Sequence, residues 1–154
     1  MISNATALIC LSKINKLDLL KKLYSIIIIP SAVKKEVVIG GRDGYLSIYN
    51  AIKGGWIKVA DPRKNLNLGL GEGENQAINL SIEKKDSIIL DDTFAIKAAK
   101  AFNIPYIRTT TVIFLAVKNK IITKPETLNT LNHLIDVGYY ISTKEYAVLI
   151  SKLK

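Results

Sequence analysis

The sequence has almost none of the soft metal ligands. Cysteine occurs once, at Cys10, and histidine once, at His133. A lone cysteine makes no internal disulfide and no cysteine metal site, which fits a cytoplasmic protein. A lone histidine leaves Ser–His catalysis and histidine-based zinc chemistry without support. No apolar run reaches the roughly 20 residues that span a bilayer, so no membrane partner is expected. The longest β-branched run, Ile26-Ile27-Ile28-Ile29, has the length of a strand. No basic stretch followed by a long apolar one opens the chain, so no signal peptide is expected. There is also no block of five like charges, no internal repeat and no low-complexity linker.

What is present suits one globular unit. The 154 residues are 49% hydrophobic and 23% charged, enough for one core, and a single domain over 1–154 is expected. Acid is the scarcer charge: 22 Lys+Arg against 13 Asp+Glu leave a net +9. A basic balance suits a polyanionic partner, nucleic acid first, while a lysine-rich solvated surface carries the same charge.

Periodicity separates short strands from amphipathic helices. Strands are expected at Met1–Ser3, Ile26–Ile29 (fully buried), Trp56–Ala60, Ser87–Leu90 and Pro105–Ile107. Helices are expected at Thr6–Ile14, around Leu17–Tyr24, from an N-cap at Ser31 to Val38, weakly over 43–53, and at Glu72–Lys85, Asp92–Phe102, Thr111–Lys118, Pro125–Val137 and Thr143–Leu153. A loop is expected from Asp61 to Leu70. Strands alternating with helices predict a three-layer α/β/α sandwich with a mostly parallel central sheet.

In such sheets function collects beyond the carboxyl ends of the strands. The first strand delivers Asn4 and Thr6 there. The strand Ser87–Leu90 delivers Asp91 and Asp92. One helix cap needs one carboxylate, and here there are two. In Gly69-Leu70-Gly71-Glu72-Gly73-Glu74 a phosphate loop is excluded, because the Walker lysine is missing and two glutamates would repel phosphate. The run reads as an acidic helix start. Glu74 shares a face with Ala77, Ile78 and Ser81 and should point toward the sheet. Glu72 shares its side with Asn75, Gln76 and Asn79 and should point to solvent. Glu36 lies on the helix after the second strand. A cluster of Glu36, Glu74 and Asp91 or Asp92 within a few ångströms would repel itself unless protons or a cation intervene. Oxygen-only ligands favour Mg²⁺ or Mn²⁺, and such a site in a basic protein suggests phosphodiester hydrolysis.

These residues resemble the PIN domain family, typified by VapC-type toxin nucleases, and more closely a compact prokaryotic PIN-like subgroup of predicted nucleic-acid-binding proteins. The resemblance covers nearly the whole chain. It rests on Ser3-Asn4-Ala5-Thr6-Ala7-Leu8-Ile9, on Ile29-Pro30-Ser31-Ala32-Val33-Lys34-Lys35-Glu36-Val37, on Leu68 to Ile78 and on Asp91-Asp92. It implies a four-acid Mg²⁺/Mn²⁺ ribonuclease site at Asn4, Glu36, Glu74 and Asp92, with Asp91 as the alternative fourth member and Thr6 as a hydroxyl partner. It also implies a single-stranded or structured RNA substrate, frequent homodimers and, in toxin–antitoxin pairs, a small antitoxin that blocks the site. The departure is Asn4, where the family usually has aspartate. An amide offers one neutral carbonyl oxygen and an NH₂ that a cation repels. An engineered inactivating change, a naturally degenerate nuclease that only binds, and a tolerant site of reduced activity all fit. Among the aromatic residues, Tyr45, Tyr49 and Trp56 are candidates for base stacking, and packing is the plainer role for each. Arg108-Thr109-Thr110-Thr111 is expected to flank the site.

Overall fold

The computed structural model describes residues 1–153. Five strands, β1 (Ile2–Ser3), β2 (Ile27–Ile29), β3 (Ile57–Val59), β4 (Ile88–Ile89) and β5 (Tyr106–Ile107), form one sheet in the order β3-β2-β1-β4-β5. All four pairings are parallel, with Ile2 opposite both Ile28 and Ile88. Around it lie α1 (Ala5–Lys13), α2 (Asp18–Tyr24), α3 (Ser31–Val37), α4 (Tyr45–Lys53), α5 (Glu72–Lys84), α6 (Thr93–Ala101), α7 (Thr109–Lys118), α8 (Lys124–Asp136) and α9 (Thr143–Ser151). The expected α/β/α sandwich is what forms.

Successive strand residues face opposite sides of a sheet, so the sheet as a whole feeds two cores. Ile2, Ile88 and Leu90 pack with Ala77, Ile78 and Leu80 of α5 and with Ala95, Ile96 and Ala99 of α6. Ile27, Ile29, Ile57 and Ile89 pack on the other side with α1, α2, α7 and α8. No described helix is long and apolar enough to cross a membrane.

Three expectations are corrected, each by a contact distant in sequence or by a local turn. The strand begins at Ile27, not Ile26, and is not fully buried. Ser25 takes a left-handed backbone (φ 62°), which leaves Ile26 outside the ladder and 38% exposed. Ile28 is half-buried. Ser31 is the first helical residue, not the cap; Pro30 holds the cap position. Its exposed donors are met from 30 residues away: the Ser31 N–H donates to Asp61 Oδ1 at 2.7 Å and its hydroxyl to Oδ2 at 2.8 Å. The helix expected from Thr111 starts at Thr109, whose N–H donates to Asp91 Oδ1 at 2.9 Å.

Those two hydrogen bonds hold the Asp61 carboxyl below the usual carboxylate range. A lowered folded pKa gives stability above the unfolded aspartate value, near 3.9, that disappears as pH falls through the folded value. Asp61→Ala should therefore lower the melting temperature at neutral pH. The gap from wild type should close by about pH 2 in a thermal unfolding series.

Candidate functional site

In a parallel sheet each strand feeds a helix that starts at the sheet's carboxyl edge. The starts of α1, α3, α5, α6 and α7 therefore share one end of the molecule. The strand order reverses beside β1, because β2 and β3 lie on one side of it and β4 and β5 on the other. The crevice of such a switch point lies between β1 and β4. Asn4 follows β1, and Asp91 and Asp92 follow β4.

Asn4 occupies the cap position of α1, yet its side chain makes no capping hydrogen bond. It is 1% exposed, and its Oδ1 has no donor. An orphaned buried carbonyl costs about 1–3 kcal/mol. The backbone around it is well held, with Asn4 N donating to the Ile89 carbonyl at 3.2 Å. Asn4 lines a cleft of ≈ 240 Å³ with Thr6, Glu36, Gly73 and Glu74. Thr6 and Glu74 also line a larger neighbouring cleft of ≈ 590 Å³, together with Asp91, Asp92, Arg108 and Tyr140. Asn4, Thr6, Glu36, Glu74, Asp91 and Asp92 thus border two adjoining clefts.

They are not gathered into a cage. Among the described residues no three His, Cys, Asp or Glu side chains stand close enough together to hold a metal ion, which corrects the expectation of acids within a few ångströms. The bonds each acid already makes explain this. Asp91 accepts the Thr109 N–H, the Thr109 hydroxyl at 2.6 Å and the Tyr139 hydroxyl. It braces the start of α7 and the link between α8 and α9. Asp92 caps α6, taking the N–H groups of Phe94 and Ala95 at 2.8 and 2.9 Å, both on Oδ1. Two carboxylates in a row therefore serve two helix starts, and Asp92 Oδ2 is left over. The Glu36 carboxylate lies against Gly73. A Cβ built on Gly73 would lie 2.2 Å from Glu36 Oε1, so any other residue here would push the Glu36 carboxylate out of its place.

The two glutamates still sense the other acids. Burial, then the Asp92 and Glu36 charges, push the Glu74 carboxyl above its usual value. Burial, then Glu72, push Glu36 up as well, against the pull of Arg42 and of the Gly73 N–H. Burial raises the Cys10 thiol, and Asp91 adds to it, which disfavours the thiolate. The helix starts at this edge offset part of the repulsion through their partial positive charge.

Glu72 is exposed and Glu74 half-buried, as their helix positions require. Asn75 and Asn79, expected on the solvent side with Glu72, are buried instead. The loop before α5 covers them: Asn75 Oδ1 accepts the Leu68 N–H at 2.7 Å and Asn79 Oδ1 the Leu66 N–H at 2.9 Å. Both Nδ2 groups donate to Asn65 Oδ1 and to the Leu66 carbonyl. Arg108 does flank the site, paired to Glu145 at 2.7 Å. Tyr139 carried no signal in the sequence beyond its place after Gly138.

A family model described as a PIN domain matches residues 1–154. The chain belongs to the PIN domain family. The PIN fold is nuclease-like, suggests nucleic-acid binding and generally uses divalent metal ions. No curated protein matches the sequence. In this PIN domain the donors suit such an ion in chemistry: carboxylates, one unpartnered amide carbonyl and one hydroxyl, all hard oxygens.

The two aspartates should separate by substitution. Asp92→Asn should leave stability nearly unchanged, because Asn caps as well as Asp. Asp91→Ala should cost about 2–4 kcal/mol in urea unfolding, since it strands the Thr109 and Tyr139 donors. For Glu74, a raised folded pKa means stability present below the unfolded value and lost as pH rises through the folded one. Glu74→Gln in chelator should melt above wild type at neutral pH and level with it below about pH 4.

Proposed function

We propose that this PIN domain is a metal-dependent endoribonuclease of the VapC toxin type whose cleavage is impaired by Asn4. One observation carries the reading. A buried carbonyl oxygen without a donor lies at the switch point, in a cleft shared with Glu36 and Glu74. The net +9 charge supports a polyanionic substrate.

Glu74, Asp92 through Oδ2 and Asn4 through Oδ1 would hold the ion, with Glu36 and Thr6 beside them. A Mg²⁺ or Mn²⁺ ion there would polarise the phosphodiester and help water lose its proton. The protein's own groups do the rest. Because burial and its acidic neighbours raise the Glu74 carboxyl, a proton would compete with the cation for it, and binding would weaken as pH falls. Glu36 would sit beside these ligands, packed against Gly73. The Thr6 hydroxyl borders both clefts and can donate to a carboxylate in either. Arg108 presents a fixed cation at the rim for a non-bridging phosphate oxygen. An amide at position 4 removes one negative charge from this set and leaves the cation less well held.

Restoring that charge should restore function. Asn4→Asp should cleave single-stranded or structured RNA with Mg²⁺ or Mn²⁺ about 10²-fold faster than the parent, and adding Asp92→Asn should abolish it. The same divalent ions should raise the melting temperature of Asn4→Asp more than that of the parent. An Asn4→Asp protein inert on varied RNAs with both metals, free of any antitoxin, refutes the proposal. It would favour a degenerate module that binds RNA or protein without cutting, the reading Asn4 itself suggests. The toxin role extends to a cognate antitoxin and a homodimer, and a short antitoxin-like reading frame beside the gene would support it.

A further inference from the structure

The aromatic residues singled out in the sequence do not border the acid clefts. Tyr45 and Trp56 are partly buried, and Tyr49 stands half-exposed on α4. Tyr140 is different. It is 81% exposed, the most exposed of the large hydrophobic side chains among the described residues. It lines the ≈ 590 Å³ cleft that holds Asp91 and Asp92. It also lines a second, more apolar cleft of ≈ 230 Å³, walled by Ile141, Val148 and Leu149. Arg108 borders both clefts and Lys144 borders the second.

The segment that carries Tyr140 is tied down on both sides. Gly138 ends α8 with a left-handed backbone (φ 92°). The Tyr139 N–H donates to the Leu134 carbonyl at 2.9 Å, and its hydroxyl donates to Asp91. Ser142 then caps α9 in a reciprocal box with Glu145, whose other oxygen pairs with Arg108. A solvent-facing ring on such a link adds almost nothing to the core. It is an aromatic face held ready beside an acidic cleft, with two cations nearby.

We infer that Tyr140 is the stacking platform for an unpaired nucleobase of the RNA strand whose phosphate lies at the acid cleft. The inference rests on the ribonuclease reading for the identity of that strand. Charge selects the occupant: Arg108 and Lys144 suit the flanking phosphate, while the ring offers the base a flat, sequence-tolerant contact. A paired base hides its faces in the helix stack, so the platform favours single-stranded or looped RNA. Because the backbone that carries the ring is held on both sides, little backbone ordering is lost on binding.

The test uses the full chain in chelator, so that nothing is cleaved. The probe is a single-stranded oligoribonucleotide of about 12 nucleotides carrying 2-aminopurine, whose fluorescence is quenched on stacking. Wild type should bind and quench it. Tyr140→Ala should weaken binding by about 5- to 100-fold and abolish the quench. Tyr140→Phe and Tyr140→Trp should keep both, and Tyr49→Ala should match wild type. A duplex of the same sequence should not quench. Equal behaviour of Tyr140→Ala and wild type overturns the platform, and so does a loss in Tyr140→Phe as large as in Tyr140→Ala, which would assign the hydroxyl instead. No binding by any variant also overturns it. So does a Tyr140→Ala effect seen only as a change of oligomeric state in sedimentation, which would mark a face for a second copy. The two readings fail separately. Quenching through Tyr140 with an inert Asn4→Asp protein keeps the platform and removes the nuclease. Cleavage by Asn4→Asp whose KM is unmoved by adding Tyr140→Ala keeps the nuclease and removes the platform.

Discussion

β1 is two residues long and pairs on both sides. Ile2 lies opposite Ile28 on one flank and Ile88 on the other, and Ser3 lies opposite Ile89. Everything at the carboxyl edge follows from that double pairing. It makes β1 the strand at which the winding reverses, and so opens the crevice between the ends of β1 and β4. It also fixes Asn4, whose N–H completes the ladder to Ile89. The two-residue strand is sufficient because its neighbours are apolar on both faces, and Ile2 joins the core under α5 and α6. Residues from four separate stretches of chain then share one end of the sheet without any of them being neighbours in sequence.

The acids at that end divide between holding the fold and facing the clefts. Asp91 is wholly engaged, by three donors from Thr109 and Tyr139. Asp92 is half engaged, with one oxygen on the α6 backbone and one to spare. Glu36 leans on Gly73, and Glu74 carries the burden of its acidic neighbours. The position that would complete the set is neutral. One amide thus leaves an oxygen of the right kind in the right crevice with less charge than a cation prefers.

Much of this was legible in the sequence. The buried apolar runs, the cap-like Asp91-Asp92 pair and the helical spacing of Glu72 against Glu74 follow from local rules of period and capping. Apart from the local turn at Ser25, the parts that were not legible depend on contacts between residues apart in sequence. Ser31 looks like a cap until Asp61 arrives from the β3 end to serve its donors. Asn75 and Asn79 look solvated because side-chain polarity says nothing of a loop that returns to cover them. Asp91 and Asp92 look like one cap and one catalyst, and only the fold shows that α7 needs the first of them. Tyr140 could not be told from six other tyrosines, since exposure beside a cleft is a property of the folded surface and not of the residue.

The segment from Asp61 to Leu70 has no regular structure, yet it is hung on α5 by paired amides. Asn75 and Asn79, one helical turn apart, each give and receive hydrogen bonds along it, and the backbone N–H groups of Leu66 and Leu68 end on their side-chain oxygens. Side chains on a helix thus do the work that a neighbouring strand would do in a sheet. Those two hydrogen-bonded backbone hydrogens should exchange with solvent more slowly than those of an open loop, while circular dichroism would count the same stretch as coil.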